Sequence, residues 1–68
     1  MDISIRGYIA SNFKDSTENE INDAIEDSIL DGAEEALPGL GALFELVWKN
    51  SSKNEKNSFS KKIKEALK

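Results

Sequence analysis

Leu37-Pro-Gly-Leu-Gly-Ala-Leu-Phe-Glu-Leu-Val-Trp-Lys49 is the stretch on which the reading of the fold turns. Leu40, Leu43, Phe44 and Val47 recur at spacings of three and four, which stacks them in one stripe along a helix. Ala42 and Leu46 lie nearly opposite, and Trp48 extends the stripe. Gly41, Glu45 and Lys49 form a narrow polar strip, with Glu45 and Lys49 at the i,i+4 spacing that favours an ion pair. A helix apolar around most of its girth is buried on several sides. In a chain of 68 residues it is either the central helix or a helix that meets another chain. Pro38 marks its start, because proline disfavours helical geometry at Leu37 and suits the first position of a new helix. The glycines at 39 and 41 lack a Cβ and let a neighbouring helix or chain come close. The Leu-Pro-Gly-Leu-Gly run is no phosphate loop, since its spacing is wrong and no Lys-Ser/Thr pair follows.

On the C-terminal side, Asn50 and Ser51 end this helix, and Ser52 with Glu55 forms a capping box that opens another. That helix directs Phe59, Ile63, Ala66 and Leu67 inward and sets Lys61, Lys64 and Lys68 on the opposite side. On the N-terminal side, Ile5, Tyr8, Ile9 and Phe13 share one helical face, with Gly7 on the solvent side. Asp2 is the expected N-cap there. Residues 14–17 read as a turn, and Thr17 with Glu20 makes a second capping box, with Asp15 or Ser16 as the alternative cap. The following helix has Ile21, Ala24, Ile25, Ser28 and Ile29 on one face. It ends at Gly32 as a C′ glycine or continues to Leu37; both readings stay open. The fold expected is all-α, a compact bundle of three to four short helices around residues 39–49, with residues 1–68 as one domain. Leu40, Leu43, Phe44 and Val47 are the expected core, so Phe44→Ala should cost about 3–5 kcal/mol.

A domain of this length is worth only about 3–10 kcal/mol of stability. Chains this short usually need disulfides, a metal, self-association or very regular helix packing. The sequence has no cysteine and no histidine, so disulfides are excluded and a structural zinc site is not expected. With 38% hydrophobic and 32% charged residues, the composition is that of a globular protein and not of a disordered one. Apolar runs such as Leu46–Trp48 fall far short of the ~20 residues that span a bilayer. Met1-Asp2-Ile3-Ser4-Ile5 has neither the basic nor the apolar region of a signal peptide. A reducing, cytosolic compartment is expected, without a membrane partner. The net charge of −4 is unevenly spread: residues 1–48 carry Arg6 and Lys14 against eleven acids, and residues 49–68 carry seven lysines against Glu55 and Glu65.

Catalysis is hard to build from these residues. No histidine or cysteine can serve as base or nucleophile, and the serines lack both a Gly-x-Ser-x-Gly elbow and a base partner. Glu20, Asp23, Asp27, Asp31 and Glu34 line one helical stripe, which reads as a solvated face or a partner for the basic helix. An EF-hand is rejected: with Gly32 at the sharp turn, Ile29 and Pro38 would fall where oxygen ligands are required. No catalytic, metal, cofactor or small-molecule site is therefore expected. Lys61, Lys62 and Lys64 are the residues that would contact phosphates. Against a nucleic-acid partner stand the lack of arginine beside them, the apolar placement of Phe59 and the acidic total.

The stretch from Leu37 to Asn50 resembles the signature of the small acid-soluble spore protein I family, minor spore proteins of endospore-forming Firmicutes. Ile3-Ser4-Ile5-Arg6, Asp23-Ala24-Ile25, Gly32-Ala-Glu-Glu35 and Asn54-Glu55-Lys56 are similar to the family elsewhere, so the resemblance spans nearly the whole length. It implies a non-enzymatic protein formed during sporulation and held in the forespore cytoplasm and spore core. It carries no functional residues across. It does not imply the DNA coating performed by the unrelated α/β-type spore proteins, whose motifs are absent. The turn at Lys14-Asp15-Ser16 and the lysine-rich last helix depart from the family, and the second departure leaves room for a partner of its own.

The reading is a small helical spore-core protein with an unknown molecular partner. The alternatives are a helical module binding DNA through its lysine-rich C-terminal helix and a helical assembly that serves as packing or as an amino-acid store. Leu46 and Trp48 are the residues expected to stay exposed in a monomer, and such patches mark interfaces. A homodimer in which each acidic stripe meets the other chain's lysines is one arrangement. The other is that these helices face each other within one chain and Trp48 is buried.

Overall fold

The computed structural model describes residues 4–68, which form α1 (Ile5–Phe13), α2 (Glu18–Asp31), a 3-10 turn (Glu34–Ala36), α3 (Leu37–Lys49) and α4 (Lys53–Ala66). The all-α bundle expected from apolar periodicity is what forms. Local chemistry accounts for each boundary. The Thr17 hydroxyl accepts from the Glu20 N–H, and the Glu20 carboxylate accepts from the Thr17 N–H. Ser52 and Glu55 repeat this at α4. These boxes satisfy N–H groups that the first turn of a helix leaves without partners. α1 is capped by Ser4, whose hydroxyl accepts from the Gly7 N–H at 3.1 Å. The expected cap Asp2 lies outside the described residues.

Of the two readings of α2, the structure takes the shorter. Gly32 sits in the left-handed region at φ 69° and closes the helix, a conformation that costs any residue with a Cβ about 1–2 kcal/mol. The 3-10 turn then runs straight into α3, so the expectation that Pro38 would keep Leu37 non-helical is corrected. Leu37 is helical at φ −59°, ψ −43°. Proline in the first turn removes an N–H that had no partner there in any case. At the other end, the Asn50 side-chain amide donates to the Leu46 carbonyl at 2.8 Å, and the Ser51 hydroxyl donates to the Val47 carbonyl at 2.6 Å. These two bonds end α3 where the sequence places its end.

The core is smaller than periodicity suggests. Ile9, at 7% exposure, is the one buried hydrophobic residue among those described. It lies against α3 where Gly39 has no side chain: a Cβ built there would stand 3.4 Å from Ile9 Cδ1. The pairing of α1 with α3 is the most extensive contact between helices. Phe13, Ala24, Leu40 and Leu43 are half-buried and line the same groove as Ile9, and Ile21, Ile25 and Phe59 are half-buried as well. Phe44 and Val47, expected in the core, keep 42% and 47% of their surface exposed, and Ile63, Ala66 and Leu67 of α4 are exposed as well. The reason is geometric. α1 approaches the glycine side of α3, and α4 touches only part of the expected stripe. The Cα radius of gyration is 13.3 Å, against about 11 Å for a filled globule of this length.

One polar contact locks α1 to α3. Arg6 Nε donates to Glu45 Oε1 at 2.6 Å and Arg6 Nη2 donates to Glu45 Oε2 at 2.8 Å. Lys49 Nζ adds a looser contact to Oε1 at 3.8 Å. The fork-to-fork geometry fixes orientation as well as distance. The Arg6 hydrogen bonds hold the Glu45 carboxyl down at about 2. Hydrogen bonds from the backbones of Thr17 and Ser52 lower Glu20 and Glu55 below the usual carboxylate value.

Two outcomes follow from this packing. Ile9→Ala should lower the stability of the chain by about 2–3 kcal/mol, more than Phe44→Ala does in dilute solution. Urea unfolding checks the order, and the reverse order would contradict the placement of Ile9. The second outcome concerns acid. A carboxyl whose folded pKa is depressed stabilises the fold fully above its unfolded value and loses that contribution as pH falls through the folded value. The contribution of Glu45 is therefore complete above its ordinary value of 4.5 and disappears as pH approaches about 2. Melting temperatures measured from pH 6 down to pH 2 should fall through this window. Glu45→Gln should flatten that fall, and an unchanged acid limb would refute the pairing with Arg6.

Candidate interaction surface around helix α3

The residues that stand out by geometry surround α3 and line its contacts with α1 and α4. Towards α4, the Phe44 and Trp48 rings lie 5.9 Å apart between centroids, tilted by 41°. Phe59 of α4 meets Phe44 edge-on at 6.3 Å. Both separations fall in the range in which aromatic quadrupoles attract. Lys56 Nζ stands 5.5 Å from the centroid of the Trp48 ring, within cation–π reach. The Ser52 cap starts α4 close enough to α3 for these contacts, and an open groove of about 570 Å³ runs beside them past Gly41, Trp48, Ser60 and Ile63. A second groove, of about 460 Å³, lies between α1, α2 and α3, with Ile5, Tyr8, Phe13, Ala24, Leu40 and Leu43 on its walls.

Both residues proposed for self-association from sequence are on α3. Leu46 is 48% exposed. Trp48 is 36% exposed, because Phe44 and Lys56 cover part of its ring. Helical spacing puts Leu46 on nearly the opposite side of α3 from both Phe44 and Trp48, so Leu46 and Trp48 do not form one patch. Lys61, Lys62 and Lys64 are all exposed on α4. Lys61 and Lys64 share a face, and Lys62 is rotated away from it by a residue step of about 100°. The acids Glu20, Asp23, Asp27 and Asp31 are exposed along α2. Glu34 leaves that stripe, because the left-handed turn at Gly32 separates it from the helix.

Among the described residues, the ion pairs join Arg6, Glu45 and Lys49, and none links the acids of α2 to the lysines of α4. Arg6 is the residue that sequence reasoning missed. A signal was present: it is the one arginine of the chain, and Glu45 is the one carboxylate within the apolar helix. A lone acid on such a helix favours a bidentate donor. Among the described residues, no group of three carboxylates is placed to hold a metal ion, and no helix is long and apolar enough to cross a membrane.

Comparison with known proteins places this helical architecture in a family. The profile of the family described as "Small, acid-soluble spore protein I" matches residues 3–67. Proteins named small, acid-soluble spore protein I from Bacillus cereus strain AH187 and from Bacillus anthracis strain A0248 are each 38% identical to this chain over 68 residues, covering all of it and 99% of the relative. No solved structure matches the chain. With the family profile spanning α1 through α4 and the relatives aligned over their full lengths, the chain belongs to the small acid-soluble spore protein I family.

Proposed function

We propose that this chain is a minor protein of the spore, formed during sporulation in the forespore cytoplasm and kept in the spore core. There it acts by binding and not by catalysis. The observation that carries this reading is the family match from residue 3 to residue 67. The chemistry agrees. A chain without histidine or cysteine lacks the usual side chains for proton transfer near neutral pH and for nucleophilic attack. The depressed carboxyls serve structure: Glu20 and Glu55 close capping boxes, and Glu45 pairs with Arg6.

Expression timing tests this directly. The transcript should be present in the developing forespore and absent from growing cells, and the protein should appear in extracts of dormant spores. Expression confined to vegetative growth would refute the assignment.

A second reading, DNA binding through α4, draws on the exposed Lys61, Lys62 and Lys64, which have no ion-pair partner among the described residues. Binding of that kind weakens steeply with salt, because phosphate contacts release counterions. The acidic surface of α2 repels the same phosphates, and Debye screening over about 8 Å at physiological salt weakens what attraction the lysines offer. Binding to duplex DNA should therefore be weak or absent at physiological ionic strength, as read by fluorescence anisotropy. Sub-micromolar affinity that is lost on changing the three lysines to glutamine would favour the second reading instead.

A further inference from the structure

We propose that the stripe of α3 formed by Leu37, Leu40, Phe44 and Val47, continued onto Ile63 of α4, is the contact surface for a second copy of this chain. The two α3 helices pack antiparallel about a two-fold axis. The first argument is area. The chain exposes 5991 Å², whereas a folded monomer of 7.5 kDa exposes about 4,200 Å². The excess of about 1,800 Å² is more than twice the ~800 Å² that each partner contributes to a standard interface.

The second argument is the pattern of what is exposed. Leu37, Leu40, Phe44 and Val47 are spaced three, four and three apart, the repeat of a coiled-coil seam. Leu37, Phe44 and Val47 are exposed in the single chain, and so is Ile63. The stripe is continuous with its surroundings. Leu37 and Leu40 share a groove with Ile29 of α2, and Phe44 shares another with Ile63 of α4. Leu46 projects from nearly the opposite side of α3 and stands outside the seam.

The third argument sets the direction. Asp31, Glu34 and Glu35 gather at the N-terminal end of α3, and Lys49, Lys53 and Lys56 at its C-terminal end. Among the described residues, Asp31, Glu34, Glu35 and Lys53 have no ion-pair partner within the chain. An antiparallel pairing brings each acidic end beside the other copy's lysines, and a parallel one sets like charges together. The pairing closes on itself, because both copies use the same surface.

Sedimentation equilibrium of the full chain at tens of micromolar should give a species of twice 7.5 kDa. A single 7.5 kDa species would overturn the proposal, and leave the face to some other partner. Val47→Glu should yield the monomer and Leu46→Glu should leave the dimer; a dimer that survives Val47→Glu overturns the seam. Direction is read with two charge-reversed chains, one carrying Glu34→Lys and Glu35→Lys, the other Lys49→Glu and Lys53→Glu. Each alone should dimerise at least about tenfold more weakly than the parent chain, a loss of about 1.4 kcal/mol. Mixed one to one, they should recover a heterodimer, which also proves that both remain able to fold. If each variant dimerises alone as well as the parent, or if mixing recovers nothing, the antiparallel arrangement is wrong.

Discussion

Helix α3 carries apolar side chains around nearly its whole girth, and three short helices have too little surface to cover them. Everything else in the structure accommodates that mismatch. α1 takes the side where Gly39 allows the closest approach, and this makes Ile9 the one buried hydrophobic residue among those described. α4 takes the side of Phe44 and Trp48, where it can contribute Phe59 and Lys56. α2 reaches the start of α3 through the 3-10 turn and half-buries Ile21, Ala24 and Ile25. What is left over is the outer part of the stripe itself. Burial of apolar surface is the main favourable term in folding, so a chain that leaves Leu37, Phe44 and Val47 in water forgoes much of it.

The polar contacts compensate by specifying geometry. The bidentate Arg6–Glu45 pair is exposed, and solvent screening limits what it adds to stability. Its value is directional, because the guanidinium fork accepts the carboxylate in one orientation and so sets how α1 crosses α3. The two capping boxes act in the same way at α2 and α4, by fixing where each helix begins. A domain with so few buried side chains relies on such local rules to choose among the ways short helices can pack.

The small acid-soluble spore protein I family matches the chain from α1 through α4. Among the described residues, no ion pair joins the acids of α2 to the lysines of α4.

Local features were legible in the amino-acid sequence because they rest on contacts between near neighbours. The Thr17/Glu20 and Ser52/Glu55 boxes, the Asn50–Ser51 end of α3 and the all-α class depend on residues within one or two turns of each other, whereas the sequence left the end of α2 open between Gly32 and Leu37. The family was legible for a related reason, since the run from Leu37 to Asn50 is continuous. Helical periodicity also identified which face of each helix is apolar. It could not say which apolar faces meet, because that choice depends on crossing geometry between helices far apart in sequence. Hence Phe44, Val47, Ile63 and Leu67 read as core and are exposed, and Arg6 read as unremarkable and grips Glu45 thirty-nine positions away. The sequence by itself determined the helical class, the two capping boxes and the family; only the tertiary structure decided where α2 stops, that Leu37 joins α3, and that α1 claims the Gly39 side of α3. With that side occupied, the helix that is apolar all round keeps its leucine–phenylalanine–valine stripe in solvent.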